Sequence, residues 1–307
     1  MAAGQIKIVV AGGNQSKSVE KYTCPPKQNE EGKWELAEGK WELLEEMSEY
    51  RAYASSVVYQ GRMIVTGGQG IPLDVEERDL AQQKAQWKTS SLNLNFEFEQ
   101  LNGHVCVWKD PNRLLVIGGR STGEKIYEIQ LKDSPPYPSK LVTEMPEPLR
   151  NLCNHCAVRI GDKIFIIGGT KGPDTRDTVA VLNVKTNECT ELGQLPYPVS
   201  HMAATLWGDN VVVLGGKNKE NKALNTAIMY NVTLKKAFRF PPMKNKRYGC
   251  TAVTIGDNII VMGGWNEAGE KLKSVECYNV SKGWTDLPDM TERRAAATAA
   301  KCNIPSP

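Results

Sequence analysis

The sequence predicts an all-β fold: a ring of six blades, each a four-stranded antiparallel sheet, closed by a C-terminal strand that joins the N-terminal blade. Three observations carry this. Six glycine doublets, Gly12-Gly13, Gly67-Gly68, Gly118-Gly119, Gly168-Gly169, Gly215-Gly216 and Gly263-Gly264, each follow a short apolar run. Their first positions step by 55, 51, 50, 47 and 48 residues, a spacing that marks a repeat architecture. The two chain ends, finally, are complementary halves of one repeat.

The last full repeat is the clearest. Arg247-Tyr-Gly-Cys-Thr-Ala-Val-Thr-Ile-Gly-Asp-Asn-Ile-Ile-Val-Met-Gly-Gly264 is followed by a polar loop, then Ser274-Val-Glu-Cys-Tyr-Asn-Val280, Gly283-Trp284 and Leu287-Pro-Asp-Met290. It divides into strand a (249–255, small residues), strand b (259–262, continuously apolar), strand c (274–280, alternating) and strand d from Trp284, with Gly, Asp, Asn or Pro between them. Small side chains suit an innermost strand where blades crowd a central channel, and a glycine doublet lets two backbones approach with no Cβ between them. Tyr278 and Trp284 are then expected between blades.

A doublet, a Tyr fourteen residues after its second Gly and a Trp six residues further resembles the kelch motif, and the resemblance extends over nearly the whole chain. It implies a six-bladed kelch β-propeller, similar to the kelch part of BTB-kelch ubiquitin-ligase adaptors, without their BTB and BACK parts. Blade 1 keeps Tyr22 and offers Trp34 and Trp41 in a duplicated Gly-Lys-Trp-Glu-Leu. In blade 2 Arg78 aligns with the Tyr and Trp87 falls late, and residues 74–86 also read as a short helix. Blade 3 has Tyr127; blade 4 has Leu182 and Cys189 at the two positions; blade 5 has Tyr230 with Phe238 near the Trp position.

The chain begins with a strand b, Ile6-Lys-Ile-Val-Val-Ala-Gly-Gly13, that has no strand a before it. After Met290, Glu292-Arg-Arg-Ala-Ala-Ala-Thr-Ala-Ala-Lys301 reads like a strand a and is expected to supply it. One domain over 1–307 follows, with blades near 1–46 plus 291–303, 47–99, 100–145, 146–195, 196–243 and 244–290. It is expected to be either a stand-alone propeller or a domain excised from a longer chain.

Composition narrows the function classes. The N-terminus lacks the charged-then-apolar pattern of a secretory signal and no apolar run nears the length of a membrane span, so a cytoplasmic or nuclear protein off the membrane is expected. Eight cysteines sit mostly in strand patterns of a chain large enough to bury a core without disulfides, which favours reduced thiols. A net charge of +3, with no basic patch interleaved with aromatics, gives no sign of nucleic-acid binding. The sequons at Asn14, Asn231 and Asn279 carry little weight without an export signal.

In adaptor propellers of this resemblance, ligands dock on the face built by the b–c and d–a loops. Carried over by position, the residues after the doublets are Asn14, Gln69, Arg120, Thr170, Lys217 and Trp265. The residues leading into strand a, counted back fifteen from each doublet with one insertion in blade 3, are Ala52, Asn102, Cys153, Ser200 and Tyr248, with Ala295 from the closing strand. Arg51, Arg247 and Arg294 stand one residue earlier and suit a bracing role; Arg120 with Lys217 is too little charge for a strongly acidic degron. The span from second Gly to Tyr position is 9, 10 and 8 residues in blades 1–3 but 13, 14 and 14 in blades 4–6, which gives half of the ring taller loops. Lys217, Lys219, Lys222 and Trp265 on those loops are expected to grip a mildly acidic peptide.

His104, His155 and His201 fall thirteen or fourteen residues before successive doublets, and Cys106, Cys153, Cys156 and Cys250 also map to innermost strands. Imidazole and thiolate are ligands for zinc, copper or iron, yet the spacing is non-local and matches no compact metal motif, so no cofactor is assigned. Kelch copper oxidases use seven blades, further domains and a tyrosine–cysteine crosslink, and the iron-binding plant relatives use a local Glu, Asp and His run; neither is found here. No nucleophile–base–acid set or phosphate-binding Gly-rich loop is readable. The expected function is protein recognition, as substrate receptor or scaffold, with actin or a ubiquitin-ligase substrate as family themes. The alternative is a small-molecule or metal-binding kelch enzyme, mutarotase-like or lyase-like, using the central channel.

Overall fold

A computed structural model describes residues 6–28, 34–36, 39–69, 74–82, 84–93, 101–120 and 124–303. The start of the first Gly-Lys-Trp-Glu-Leu copy, Gly32-Lys33, lies outside the described residues. Among them the strands form six antiparallel a-b-c-d meanders, of which blades 2 and 3 are joined into one eight-stranded sheet by a short parallel pairing of their outer strands, Tyr137↔Leu92 and Pro138↔Asn93. Blade 2 is Ser55–Tyr59, Arg62–Thr66, Asp74–Asp79 and Lys88–Asn93; blade 6 is Thr251–Ile255, Asn258–Met262, Val275–Asn279 and Gly283–Leu287. Blade 1 takes its strand a, Thr298–Asn303, from the C-terminus, paired antiparallel with Ile6–Ala11 from Ile6↔Asn303 to Ala11↔Thr298. The closing strand thus begins six residues later than the sequence-based segment 292–301, whose first part is the loop into it.

Six of the seven apolar clusters among the described residues lie in the wedges between neighbouring blades, and the seventh, Ala52, Trp265, Ala295 and Ala296, lies among the loops at one end. Ile8, Val10 and Tyr22 of blade 1 pack with Ile260, Met262 and Cys277 of blade 6, and Phe240 of blade 5 packs with Tyr278 of blade 6 at 4.6 Å between ring centroids. The doublets explain how the wedges close. A Cβ on Gly67 would stand 2.2 Å from the Leu101 carbonyl oxygen of the next blade, and one on Gly215 2.3 Å from that of Arg247; both glycines also have positive φ, +61° and +63°. The second glycine of each doublet donates its N–H to that same carbonyl, as in Gly68→Leu101 and Gly216→Arg247, both at 2.8 Å. Only glycine fits this contact.

Arg51, Arg247 and Arg294 brace their loops as the sequence suggests. Each is fully buried and ion-paired to a buried strand-c glutamate: Arg51 to Glu76 at 2.8 Å, Arg247 to Glu276 at 2.6 Å, Arg294 to Glu20 at 2.8 Å. Each guanidinium also donates to the first glycine carbonyl of its blade, Gly67, Gly263 or Gly12. The glutamates accept two backbone N–H groups of the d–a loop, for Glu20 those of Thr291 and Glu292. Blades 3–5 have Leu101, Leu152 and Val199 at the arginine position, so the clamps are confined to contiguous blades 6, 1 and 2.

Several motif assignments shift. Residues 74–79 are strand, not helix, and continuing the register of Glu77↔Lys88 sets Trp87 opposite Arg78 rather than late. Trp41, which pairs with Tyr22 at 5.1 Å, is the tryptophan of blade 1. In blade 5 Ala237 faces Tyr230, and Phe238 is 40% exposed beside it. In blade 3 the residue opposite Leu114 is Ile129, so Ile129 holds the tyrosine position and Tyr127 fills the place that Glu20, Glu76 and Glu276 take in the clamped blades. The blade 3 span becomes 10 residues, and the difference in loop height between the two halves of the ring remains.

Candidate functional site

At one end of the ring, each residue after a doublet is tied to the residue that leads into strand a of its own blade. The backbone N–H groups of Asn14, Gln69, Arg120, Lys217 and Trp265 donate to the carbonyls of Ala295, Ala52, Asn102, Ser200 and Tyr248 at 2.7–3.1 Å, and Thr170 pairs with Cys153. The two positional sets are therefore joined residue by residue on one face, in all six blades.

The next residue of each lead-in segment forms a feature the sequence reading did not single out. Tyr53, Gly103, Asn154, His201, Gly249 and Ala296 all have φ between +53° and +67°. Each donates its N–H to the carbonyl of the same position in the preceding blade: Gly103→Tyr53 3.0 Å, Asn154→Gly103 2.9 Å, His201→Asn154 3.0 Å, Gly249→His201 2.7 Å, Ala296→Gly249 2.8 Å and Tyr53→Ala296 3.0 Å. The six bonds make a closed backbone ring around the axis. Gly103, Asn154 and Gly249 were its visible signal, because these residue types tolerate the left-handed region best.

Side chains close the mouth above this ring. Tyr53 and His201 come from opposite blades yet their rings stand 5.7 Å apart, edge to face, so they meet across the axis. Trp265 stacks on Tyr248 at 5.2 Å and lies against Gly249, where a Cβ would come 2.6 Å from Cζ3. At 8% exposure it is a wall of the mouth, not the protruding aromatic anchor that its loop position suggests. Lys217 Nζ sits 3.9 Å from the Tyr248 ring centroid, a cation–π contact. Arg120 is close enough to act on both Tyr53 and His201: burial raises the Tyr53 hydroxyl, with Arg120 opposing, and burial followed by the charges of Lys217 and Arg120 holds His201 down to about 4. The taller loops of blades 5 and 6 share one build, with Asn218 and Asn266 accepting backbone N–H groups of Lys222 and Glu270. Lys219 and Lys222 lie exposed at the first of these, Lys219 beside Glu220 at 3.8 Å.

The three histidines do not share a height. His201 is a member of the backbone ring, whereas His104 and His155 follow ring members and tuck against Gly67 and Gly118 of neighbouring blades. No three His, Cys, Asp or Glu side chains stand together in a metal-binding group among the described residues, and the three candidate histidines are separated by geometry. His104 Nε2 shares a hydrogen bond with Thr66 Oγ1 at 2.9 Å; the residue in Thr66's place beside His155 is Ile117, and neither His155 nitrogen has a protein partner. Both imidazoles line a cavity of ≈ 200 Å³ beneath the ring. Burial holds His104 down to about 3, with His155 adding to it, and His155 down to about 4, so both are neutral. Burial likewise raises the thiols of Cys106 and Cys250 to about 11, and all eight cysteines are free.

The histidines make the fold acid-sensitive. In the unfolded chain they titrate near 6.5, above their folded values, so unfolding takes up protons; their contribution is whole above that value and is lost as pH falls from 6.5 towards 4. His104 and His155 together are expected to cost about 4 kcal/mol at pH 5 relative to pH 7. Urea unfolding at the two pH values, with His104→Gln/His155→Gln as comparison, checks this: the variant should lose much of the pH dependence, and an equal dependence would contradict it.

The geometry and the sequence now converge on a class: the chain is a kelch-repeat β-propeller. Residues 154–303, which are blades 4–6 and the closing strand, match the KLHDC2/KLHL20/DRC7 Kelch-repeats domain. A stretch of 124 residues is 32% identical to the Kelch-like protein terF of Aspergillus terreus, covering 38% of this chain and 27% of that one, so this chain spans about a quarter of that relative. The solved structure of YjhT superposes with a TM-score of 0.71 at 15% identity, over 91% of this chain and 97% of that one, a likeness of fold alone. Kelch propellers generally serve protein interaction.

Proposed function

We propose that this propeller is a protein-recognition module that binds a mildly acidic peptide at the mouth formed by the b–c and d–a loops, acting as a substrate receptor or scaffold. The observation that carries this reading is the mouth itself: twelve loop residues in register around a floor closed by the backbone ring, with Lys217 against the aromatic wall and the charge of Arg120 felt at His201. Such a floor presents a surface to a ligand and screens the channel behind it. Recognition is favoured over channel catalysis because, among the described channel residues, the imidazoles are neutral with depressed basicity and the thiols are held protonated, so none is an activated nucleophile or a base matched to neutral pH. A cullin-type ubiquitin ligase, with its substrate as the ligand, is the assembly that the adaptor resemblance suggests; actin is a second family theme. Eight free thiols suit a reducing, cytoplasmic or nuclear compartment.

Charge reversal tests the mouth. Arg120→Glu/Lys217→Glu is expected to lose at least tenfold in partner capture with an unchanged melting temperature, while Arg159→Glu/Lys301→Glu at the far end of the channel retains it. Capture that survives the first pair and fails with the second would overturn the reading. Trp265→Ala is unsuited to this comparison because the ring is part of the packed wall.

A further inference from the structure

We propose that the acidic group received at the mouth is a phosphate monoester, a phosphorylated side chain of the partner, held between Arg120 and Lys217 above His201 and Ser200. The inference rests on the reading of the mouth as the recognition face and names the chemistry it selects.

Several cations elsewhere around this face are neutralised by carboxylates, whereas Lys271 and Arg293 donate to backbone carbonyls and Lys222 has no ion pair among the described residues. Lys171 pairs with Glu147, Lys246 with Glu267, Arg150 with Glu124 and Arg176 with Asp174. Arg120 and Lys217, whose charges both act on His201, have no carboxylate partner among the described residues, and Lys217 lies over the Tyr248 ring. The aromatic wall is not a cage for a cationic ligand: Tyr248 and Trp265 stack on each other, and the face of Tyr248 is already covered by the protein's own Lys217 at 3.9 Å. What the mouth lacks is negative charge. A carboxylate supplies one unit and two oxygens, whereas a phosphate monoester carries −1.5 to −2 and three acceptor oxygens, which matches two unpaired cations.

The donors present fit that group. A guanidinium offers five N–H donors in a fixed fork and an ammonium three. His201 Nδ1 lies 3.1 Å from the Ser200 hydroxyl; with Nδ1 accepting, the ring proton is on Nε2, a further neutral donor at the axis. The backbone ring fixes His201 beneath the ligand, its N–H donating to Asn154 and its carbonyl accepting from Gly249, and Ser200 is held by its N–H to the Lys217 carbonyl. Donors held this way need little reorganisation to meet an oxyanion.

The test uses two blocked amino acids, N-acetyl-O-phosphoserine amide and N-acetyl-glutamate amide, each titrated into the full chain at constant ionic strength and followed by the imidazole NMR signals of His201. The phosphorylated probe is expected to shift His201 saturably and to bind at least tenfold more tightly than the glutamate probe. Arg120→Gln/Lys217→Gln, with an unchanged melting temperature, should remove both responses. Equal binding of the two probes, or phosphate binding that persists in the variant, overturns the phosphate assignment and leaves the acidic-peptide reading standing. Absence of both responses overturns the assignment as well; if partner capture is then also insensitive to the Arg120/Lys217 reversal, the recognition reading falls with it.

Discussion

Deletion of residues 298–307 is expected to abolish cooperative folding. That segment supplies the whole innermost strand of blade 1, six residues paired with Ile6–Ala11, and places Ala300 and Cys302 in the core shared by blades 1 and 2. Without it, Val9 and Ala11 lose cover and an apolar strand edge faces solvent at the point where a closed ring must have none. Losing a six-residue ladder at about 1 kcal/mol per hydrogen bond removes about 5 kcal/mol or more, comparable with the entire stability of many domains. Thermal unfolding by circular dichroism should show a broad, low transition or none, and a sharp transition near that of the intact chain would contradict the closure described here.

The second large effect is at the buried ion pairs. Glu20→Ala leaves the Arg294 guanidinium at 1% exposure with only the half-exposed Glu292 carboxylate at 3.8 Å, and strips acceptors from the Thr291 and Glu292 backbone N–H groups. Breaking a buried pair by removing one partner costs about 3–5 kcal/mol, because a desolvated charge is left uncompensated. Glu276→Ala, which leaves Arg247 with no carboxylate among the described residues, should cost the most, Glu76→Ala less because Arg51 keeps Asp74 at 2.6 Å, and Glu128→Ala, whose partners Lys109, Arg113 and Lys140 are closer to solvent, the least. Chemical denaturation of the four variants decides this. Equal, small losses for all four would mean that the clamps contribute little.

Much of this was legible in the sequence because the repeat is enforced by contacts with no slack. A carbonyl 2.2–2.8 Å from each absent Cβ fixes the first glycine of every doublet, and a fifteen-residue count from there reaches the lead-in residue that the structure joins to the post-doublet residue. The one insertion needed in blade 3 was also visible. Less legible were positions where the motif is held by packing. Tyr127 carries the expected residue type two positions early, because blade 3 has no Arg–Glu clamp and an aromatic side chain fills that volume. Phe238 sits one residue from the pairing position that Ala237 takes. Trp265 looked like an exposed loop anchor because sequence says nothing of the small residues it rests on: Gly249 and Ala296, together with Ala295, make a shelf for its ring. The backbone ring was hidden where Tyr53, His201 and Ala296 occupy a left-handed conformation that their side chains do not favour, held there by bonds between blades that no local pattern encodes.

On the proposed function, partners are received at the closed mouth. A photoreactive amino acid placed at Gln69 or Thr170 on that face, and separately at Lys301 at the far end of the channel, tests it by crosslinking to the captured partner. Adducts are expected from Gln69 and Thr170 and none from Lys301; adducts from Lys301 with none from the two mouth positions would move recognition to the far end of the channel.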